Sequence, residues 1–268
     1  MSSFALICVL VVALRRQSRT TLIAPIWWCI VSVTSIVACE SFITWKEIEW
    51  ASVFRYAAAT STLCPAIAVL GAKRPQDSGW KFIVASLWLV LILPAIQTML
   101  FGSVDLDLHW AWRYFLLIVL LAGWSNYVLT KFWFASCLVF AAQIMMFGKH
   151  LPAFAFEPTD RSTAIGISIA TVAGWLVWWQ TKTPPHNGIG RVWTDFRNAF
   201  GAVWGLRIME RVNASAEKQK WSQTLMWTGL VASATVDPNP GEADQIEQSF
   251  RTHLRRFVDT DWIDQRLK

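Results

Sequence analysis

The sequence has few charged residues for its length. Lys, Arg, Asp and Glu together make up 16% of the 268 residues, whereas soluble globular domains carry about 25%. The hydrophobic fraction is 54%, and the mean hydropathy is +0.39. These values exclude an ordinary soluble chain of one or two domains and indicate a polytopic, integral membrane protein whose main partner is the lipid bilayer.

The sequence also lacks the short motifs that bind nucleotides or hydrolyse soluble substrates. No Walker A loop, G-x-G-x-x-G, H-E-x-x-H or G-x-S-x-G occurs, which argues against those functional classes. The five cysteines lie in or beside apolar runs without metal-ligand spacing, so we predict buried free thiols and no metal site. Lys and Arg lie mainly between apolar runs and form no basic stripe, so nucleic acid is not an expected partner.

Long uncharged stretches recur along residues 20–180. Crossing a hydrocarbon core of about 30 Å takes around 20 helical residues. The predicted spans are residues 20–39, 51–72 with Pro65 inside, 82–102, 163–180, and a helical hairpin over 111–148 that turns at Lys131. Residues 4–14 are too short to cross, so they form a half-inserted helix or are the remnant of a longer span. We therefore expect an all-α membrane bundle of about six or seven spans over residues 1–180, followed by a helical tail over residues 181–268.

Positive charge distinguishes alternate connections between these spans. Lys and Arg are concentrated at residues 15–19, at 73–81, at 131 and from 182 onward, and the polar connections at 40–50, 103–110 and 149–162 hold fewer. The positive-inside rule therefore predicts a cytosolic tail, and we expect the endoplasmic reticulum as the membrane. A single bent helix over 111–148 would reverse the tail. Glycosylation of the sequon at Asn213 would also contradict this orientation.

A tryptophan-rich helix over residues 191–213 is predicted at the boundary between bundle and tail. One helical face carries Trp193, Phe196, Phe200, Val203 and Trp204. Aromatic residues flanked by arginines are typical of a helix that lies in the membrane interface. Arg207 and Arg211 continue this face, so we expect them to meet phosphates, either of lipid headgroups or of a carrier such as coenzyme A. Beyond this helix, residues 221–234 are predicted to dock without spanning, and residues 245–268 to form a solvated amphipathic helix.

Asp105, Asp107 and His109 form a compact set of acids with a histidine. Alternate residues of an extended segment share a face, so the three side chains have the spacing to converge on a metal ion or on a proton transfer. The alternative is a polar loop between two spans. No other compact cluster of acids with a histidine occurs in the sequence, so these three residues are candidates for a catalytic site.

Other titratable residues have simpler expected roles. Glu40, Arg55 and Arg113 lie near the ends of apolar runs, where a charge is costly unless it is paired or reaches the interface. We expect the remaining histidines to be solvated or, for the last of them, to contact lipid headgroups: His150, His186 and His253.

Two motifs in the tail resemble a known family. The first is W-G-L-R-I at residues 204–208, and the second is F-R-x-H-L-R-R-F at residues 250–257 with Asp259 or Asp261 behind it. Their order after several spans resembles the amino-terminal two thirds of the fungal wax-synthase-like membrane acyltransferases, over residues 20–265. The resemblance implies transfer of an acetyl or acyl group from coenzyme A, as cosubstrate, to a hydroxyl of a lipophilic, terpenoid-like acceptor.

The sequence departs from that family in two places. Members carry an R-G-I-G run after the tryptophan, where this chain reads L-R-I-M-E-R-V-N, and a later Trp-His pair with the catalytic histidine, which this chain lacks. The family's catalytic residues are therefore not transferred, and we expect a shortened member or a truncated gene model. Two alternatives stay open: a membrane terpene cyclase that uses Glu40, Asp105 and Asp107 as acids, and a non-catalytic accessory or transporter-like protein.

Overall fold

The computed structural model describes residues 2–46, 49–152, 154, 156–157, 159–181, 188–232 and 240–268. This part of the chain is nearly all-α. Its helices are α1 (Ser2–Arg16), α2 (Ile23–Lys46), α3 (Ala51–Thr60), α4 (Cys64–Leu70), α5 (Gln76–Leu100), α6 (Trp110–Val128), α7 (Trp133–Phe147), α8 (Asp160–Gln180), α9 (Gly188–Gln219), α10 (Glu242–Leu254) and α11 (Thr260–Leu267). Strands β1 (Gln223–Met226) and β2 (Gly229–Ala232) form one antiparallel hairpin. This hairpin lies within residues 221–234, which were predicted to dock without spanning. In the described part of the chain it is the departure from the predicted all-α fold.

Within the described part of the chain, four helical stretches are long and apolar enough to cross a membrane: Ile23–Lys46, Ala51–Leu70, Ser78–Leu100 and Asp160–Gln180. The predicted hairpin over residues 111–148 is confirmed, because α6 and α7 are separate helices with Lys131 in the turn between them. The polar connection predicted at residues 40–50 is wrong in its first part, since α2 continues through Lys46.

The span over residues 51–70 contains a short 3₁₀ turn, Ser61–Leu63, just before Pro65. Proline has no N–H to donate to the carbonyl four residues earlier, which is that of Ser61. The Ser32 hydroxyl of α2 donates to this carbonyl at 2.7 Å. The N–H of Cys64 also donates to this carbonyl. The neighbouring helix and this local hydrogen bond therefore replace the missing donor, and the proline is accommodated in the bundle.

The connections predicted to share one face meet at one end of the bundle, together with the tail. The N–H of Thr21 donates to Phe257 O at 2.9 Å, and the N–H of Arg74 donates to Arg256 O at 2.8 Å. At the turn between α6 and α7, Lys131 N donates to Asn198 Oδ1 at 3.1 Å. The first two hydrogen bonds place residues 256–257 against the connections at Thr21 and Arg74. The third places α9 against the turn at Lys131.

The aromatic face of α9 is covered by the tail itself. Trp193, Phe196 and Phe200 are fully buried and belong to one hydrophobic core with Phe250 and Phe257. The interfacial position predicted for this face is therefore wrong, because α10 and the turn after it take the place of lipid. The solvated helix predicted over residues 245–268 is likewise two helices, each with a buried face.

Helix α9 bends at Gly201, whose φ of +80° and ψ of −172° are not helical. A positive φ is strained for residues with a side chain and open to glycine. Asn126 of α6 fits into the bend: its Oδ1 accepts from Val203 N at 3.0 Å, and its Nδ2 donates to Phe200 O at 3.4 Å. This contact satisfies backbone groups that the bend frees, and it sets the direction of the second half of α9.

The five cysteines are free thiols, as predicted, but their expected burial is largely wrong. Cys64 is buried, Cys8 is exposed, and the other three are half-buried.

Candidate anion-binding site

Three segments bring four cationic side chains together at the tail end of the bundle. Lys73 follows α4, Arg207 and Arg211 lie one helical turn apart after the bend in α9, and Arg256 follows α10. Burial lowers the pKa of Lys73 below its usual range, and the three arginine charges lower it further. We call these four residues the basic cluster. Since each positive charge raises the energy of the others, the cluster favours an anionic ligand.

The ion pairs between described residues leave all four members of the basic cluster without a carboxylate partner. Two acids that follow Arg256 in the sequence are paired with other arginines. Asp259 binds Arg74 at 2.7 Å, and Asp261 binds Arg19 at 3.2 Å. The arginine side chains of the basic cluster are exposed, so their donors are accessible to a ligand from outside the chain.

Backbone contacts hold the basic cluster in place. The hydroxyl of Thr21 donates to Ala72 O at 2.7 Å and lies 3.2 Å from Phe257 O. Because Ala72 precedes Lys73 and Phe257 follows Arg256, this single side chain ties the two cation-bearing segments together. The hydrogen bond from Arg74 N to Arg256 O adds a second tie.

Trp204 forms the floor of the basic cluster. Its indole N–H donates to Val69 O at 2.9 Å, at the end of α4. The Arg207 guanidinium lies 5.4 Å from its ring centroid, and the Lys73 ammonium lies 6.0 Å from it. Both distances suit attraction between a cation and the face of an aromatic ring, which offsets part of the repulsion between the two cations.

His253 also belongs to this region. It is half-buried in the last turn of α10, three residues before Arg256. Burial lowers its pKa, and the charges of Arg211 and Arg256 lower it further. The i, i+3 spacing in H-L-R-R was a signal for the proximity to Arg256. No local sequence pattern indicated that Arg211 or Lys73 lies in the same region as His253.

The loop at residues 103–109 places its polar side chains as the spacing predicts. Leu106 and Leu108 are buried, and the residues that alternate with them, Asp105, Asp107 and His109, are exposed on the other side. No group of three or more His, Cys, Asp or Glu suited to a metal ion occurs among the described residues.

The contacts of these loop residues fit the polar-loop alternative. Asp107 pairs with Arg113 at 2.7 Å, and His109 Nδ1 accepts from Ala111 N at 3.3 Å, capping α6. The 19 residues of α6, at 1.5 Å each, separate His109 from the turn at Lys131 by about 28 Å. His109 is therefore at the opposite end of the bundle from the basic cluster.

Glu40 and Arg55 form a two-pronged ion pair between α2 and α3. The Nε–Oε1 and Nη2–Oε2 distances are both 2.9 Å. Both carboxylate oxygens of Glu40 accept hydrogen bonds, so neither is presented to a substrate as an acid. Glu40 and Asp107 engage different arginines, and the described structure does not bring them together.

His150 is buried, with 1% of its surface exposed, so the expectation that it is solvated is wrong. Its ring meets that of Tyr56 edge-on at 4.9 Å. Burial lowers the pKa of His150 to about 4, and the charges of Lys149 and Arg113 contribute. The imidazole is therefore neutral near pH 7. His186, for which solvation was also expected, lies outside the described residues.

Comparison with known proteins gives no match: no protein-family model, curated protein or solved structure is significantly similar to this chain.

Proposed function

We propose that the protein is a membrane-bound acyltransferase that moves an acetyl or acyl group from coenzyme A to a hydroxyl of a lipophilic, terpenoid-like acceptor. One observation carries this proposal: the two motifs of the family resemblance fold against each other and contribute to one unpaired basic cluster. Arg207 comes from W-G-L-R-I and Arg256 from F-R-x-H-L-R-R-F. Neither motif forms the basic cluster by itself. Both are needed to place cationic side chains around one anion.

Coenzyme A suits the charge of the basic cluster. Its diphosphate and 3′-phosphate carry several negative charges, and guanidinium groups bind phosphate oxygens through paired, charge-assisted hydrogen bonds. Lys73 adds a compact point charge beside them. The greasy acceptor would enter from the bilayer, and the soluble cosubstrate would approach the same end from water.

The proposal includes an orientation. We propose six crossings, formed by α2, the α3–α4 pair, α5, α6, α7 and α8, with α1 as a partial seventh. This path returns the chain to the tail end after α4, after α6 and after α8, which agrees with the hydrogen bonds at residues 74 and 131. The excess of Lys and Arg at that end supports a cytosolic tail, and we propose the endoplasmic reticulum as the membrane.

Acyl transfer by the purified chain tests the proposal. The chain is placed in nanodiscs of zwitterionic lipid and incubated with labelled acetyl-CoA or longer acyl-CoA and a panel of terpenoid alcohols. We expect labelled ester. We also expect the double variant Arg207→Gln/Arg211→Gln to raise the KM for the acyl-CoA at least about tenfold, because two charge-assisted contacts are lost.

Arg255→Gln is the matched control. Arg255 is exposed and adjacent to Arg256 in sequence, but it is not among the charges that act on Lys73 or His253. The KM of the Arg255→Gln variant for the acyl-CoA should therefore stay near that of the unmodified chain. Binding of coenzyme A without ester formation would indicate a non-catalytic protein. If only nanodiscs with anionic lipid engage the basic cluster, its ligand is a headgroup and the acyltransferase proposal fails.

A further inference from the structure

We propose that His253 is the titrating member of the phosphate site: it takes up a proton from solvent when a phosphate-bearing ligand binds the basic cluster. This inference rests on the proposed site, but not on acyl transfer. It makes His253 a ligand-binding residue and makes affinity depend on pH.

The geometry places His253 on the same segment as Arg256, at the end of α10. Helix α10 packs on α9 through Phe250 and Leu254, which are buried in the tail core. The chain makes a hydrogen-bonded turn just beyond it, since Phe257 N donates to Leu254 O at 2.8 Å. His253 and Arg256, three residues apart, therefore lie on the same side of this turn.

The charged groups that act on His253 are both cationic. Arg211 reaches it from α9, and Arg256 reaches it from the turn after α10. Lys73 and Arg207 are the other two members of the basic cluster, and Arg211 and Arg256 act on Lys73 as well.

Without a ligand, His253 is neutral near pH 7, because burial and the two arginine charges disfavour a further positive charge. A bound phosphate reverses this balance. Its negative charge offsets the arginine charges, and one of its oxygens can accept a hydrogen bond from the imidazolium. The pKa of His253 is then higher in the complex than in the free protein.

Proton uptake follows from this difference. Between the two pKa values of His253, binding adds a proton, so affinity rises as pH falls and levels off once the free protein is also protonated. Lys and Arg alone would give a nearly flat profile in the same range, because they stay charged throughout. A rising profile is therefore a signature of the histidine.

Dephospho-coenzyme A is the probe, because its diphosphate diester keeps the same charge across neutral pH and the ligand does not titrate. Its affinity for the full chain in zwitterionic nanodiscs is measured by calorimetry at about pH 6 and about pH 8. We expect binding about fivefold tighter at the lower pH. Calorimetry in two buffers of different ionisation enthalpy should also show proton uptake on binding near pH 7.

His253→Gln should lose the increase in affinity between about pH 8 and about pH 6. His109→Gln, at the other end of the bundle, should keep the full pH dependence. In a parallel experiment the probe is omitted and the nanodiscs contain phosphatidylglycerol, whose diester phosphate also keeps its charge. The same pH dependence there, without binding of the probe, would assign the site to lipid headgroups.

The two proposals can fail separately. Binding that is equally strong at both pH values, or unchanged by His253→Gln, would overturn the inference and leave acyl transfer standing. Conversely, pH-dependent binding without any ester product would overturn the proposed function and leave the inference intact. Failure to bind either the probe or anionic lipid would overturn both.

Discussion

Phe257 packs edge-on against Trp204, with ring centroids 4.9 Å apart. The two residues are far apart in sequence, and each belongs to one of the two motifs in the tail. The same phenylalanine also contacts Phe196 and Phe200, each at 5.3 Å. The tail therefore packs as a unit around an aromatic core that also includes Leu22, Val69 and Ala72 of the bundle, and the basic cluster lies on the surface of this unit.

Phe257→Ala should destabilise this unit strongly. The side chain is 1% exposed, and replacing a fully buried phenylalanine by alanine costs about 3–5 kcal/mol. We expect faster proteolysis within residues 188–268 and weaker binding of dephospho-coenzyme A, with α2 to α8 still resistant in detergent. Phe101→Ala is the control, because Phe101 is 85% exposed and its loss should leave the tail unchanged.

The bend of α9 gives a second prediction. Gly201→Ala should cost at least about 1–3 kcal/mol from the positive φ, and more because the new methyl group would meet Asn126. The second half of α9 should then shift, so the affinity for dephospho-coenzyme A should fall together with thermal stability. Gly79→Ala is the matched control, since nothing lies within 4 Å of a methyl group there. An unchanged affinity in Gly201→Ala would separate the bend from the basic cluster.

The sequence predicts the bundle better than the site, for physical reasons. The length of an apolar run specifies a crossing, and the break near Lys131 specifies a turn, because both are local properties of the chain. The spacing of Trp193 and Phe196 specifies an apolar face but not what covers it. Lipid and the α10 segment can each cover such a face, so the pattern does not distinguish them. The α10 segment covers it, and the interfacial prediction is therefore wrong.

The basic cluster shows the same limit. Arg207 and Arg211 share a helical face and were predictable as a pair. Lys73 and Arg256 join them only because Thr21 and the backbone of Arg74 bridge segments that are distant in sequence. Those bridges involve a threonine hydroxyl and a main-chain N–H, which carry no recognisable signal in a single sequence.

The ion pair between Glu40 and Arg55 gives a third prediction, on stability. Both side chains are about four-fifths buried or more, with 21% and 14% exposed. Arg55→Met leaves the carboxylate without its partner, so we expect a loss of about 2–4 kcal/mol in the free energy of unfolding in detergent. The double variant Glu40→Gln/Arg55→Met should recover part of that loss. If the double variant is less stable than either single variant, the pair does not act as a unit.

His150 gives a prediction on pH. Its pKa of about 4 in the folded chain lies below the ordinary value of about 6.5. Folding therefore favours the neutral imidazole, and this contribution is fully present above about pH 6.5 and lost as pH falls toward about 4. Thermal unfolding in detergent should show a loss of about 2 kcal/mol between about pH 7 and about pH 5. His150→Phe should remove that part of the pH dependence, whereas His109→Gln, at an exposed site, should retain it.

The orientation can be tested at Asn213, where the structure gives a second reason against glycosylation. Its Nδ2 donates to Leu225 O at 2.9 Å, and its Oδ1 accepts from Leu225 N at 2.8 Å, so the amide holds β1 against α9. A cytosolic tail would in addition never meet the glycosylation enzymes. We expect Asn213 to stay unmodified in microsomes, and an acceptor sequon inserted after Asp105, in an exposed loop at the opposite end, to be glycosylated and to shift on a gel. Glycosylation of a sequon inserted after Gly241 in the tail, with none after Asp105, would reverse the orientation and would move the basic cluster away from cytosolic coenzyme A.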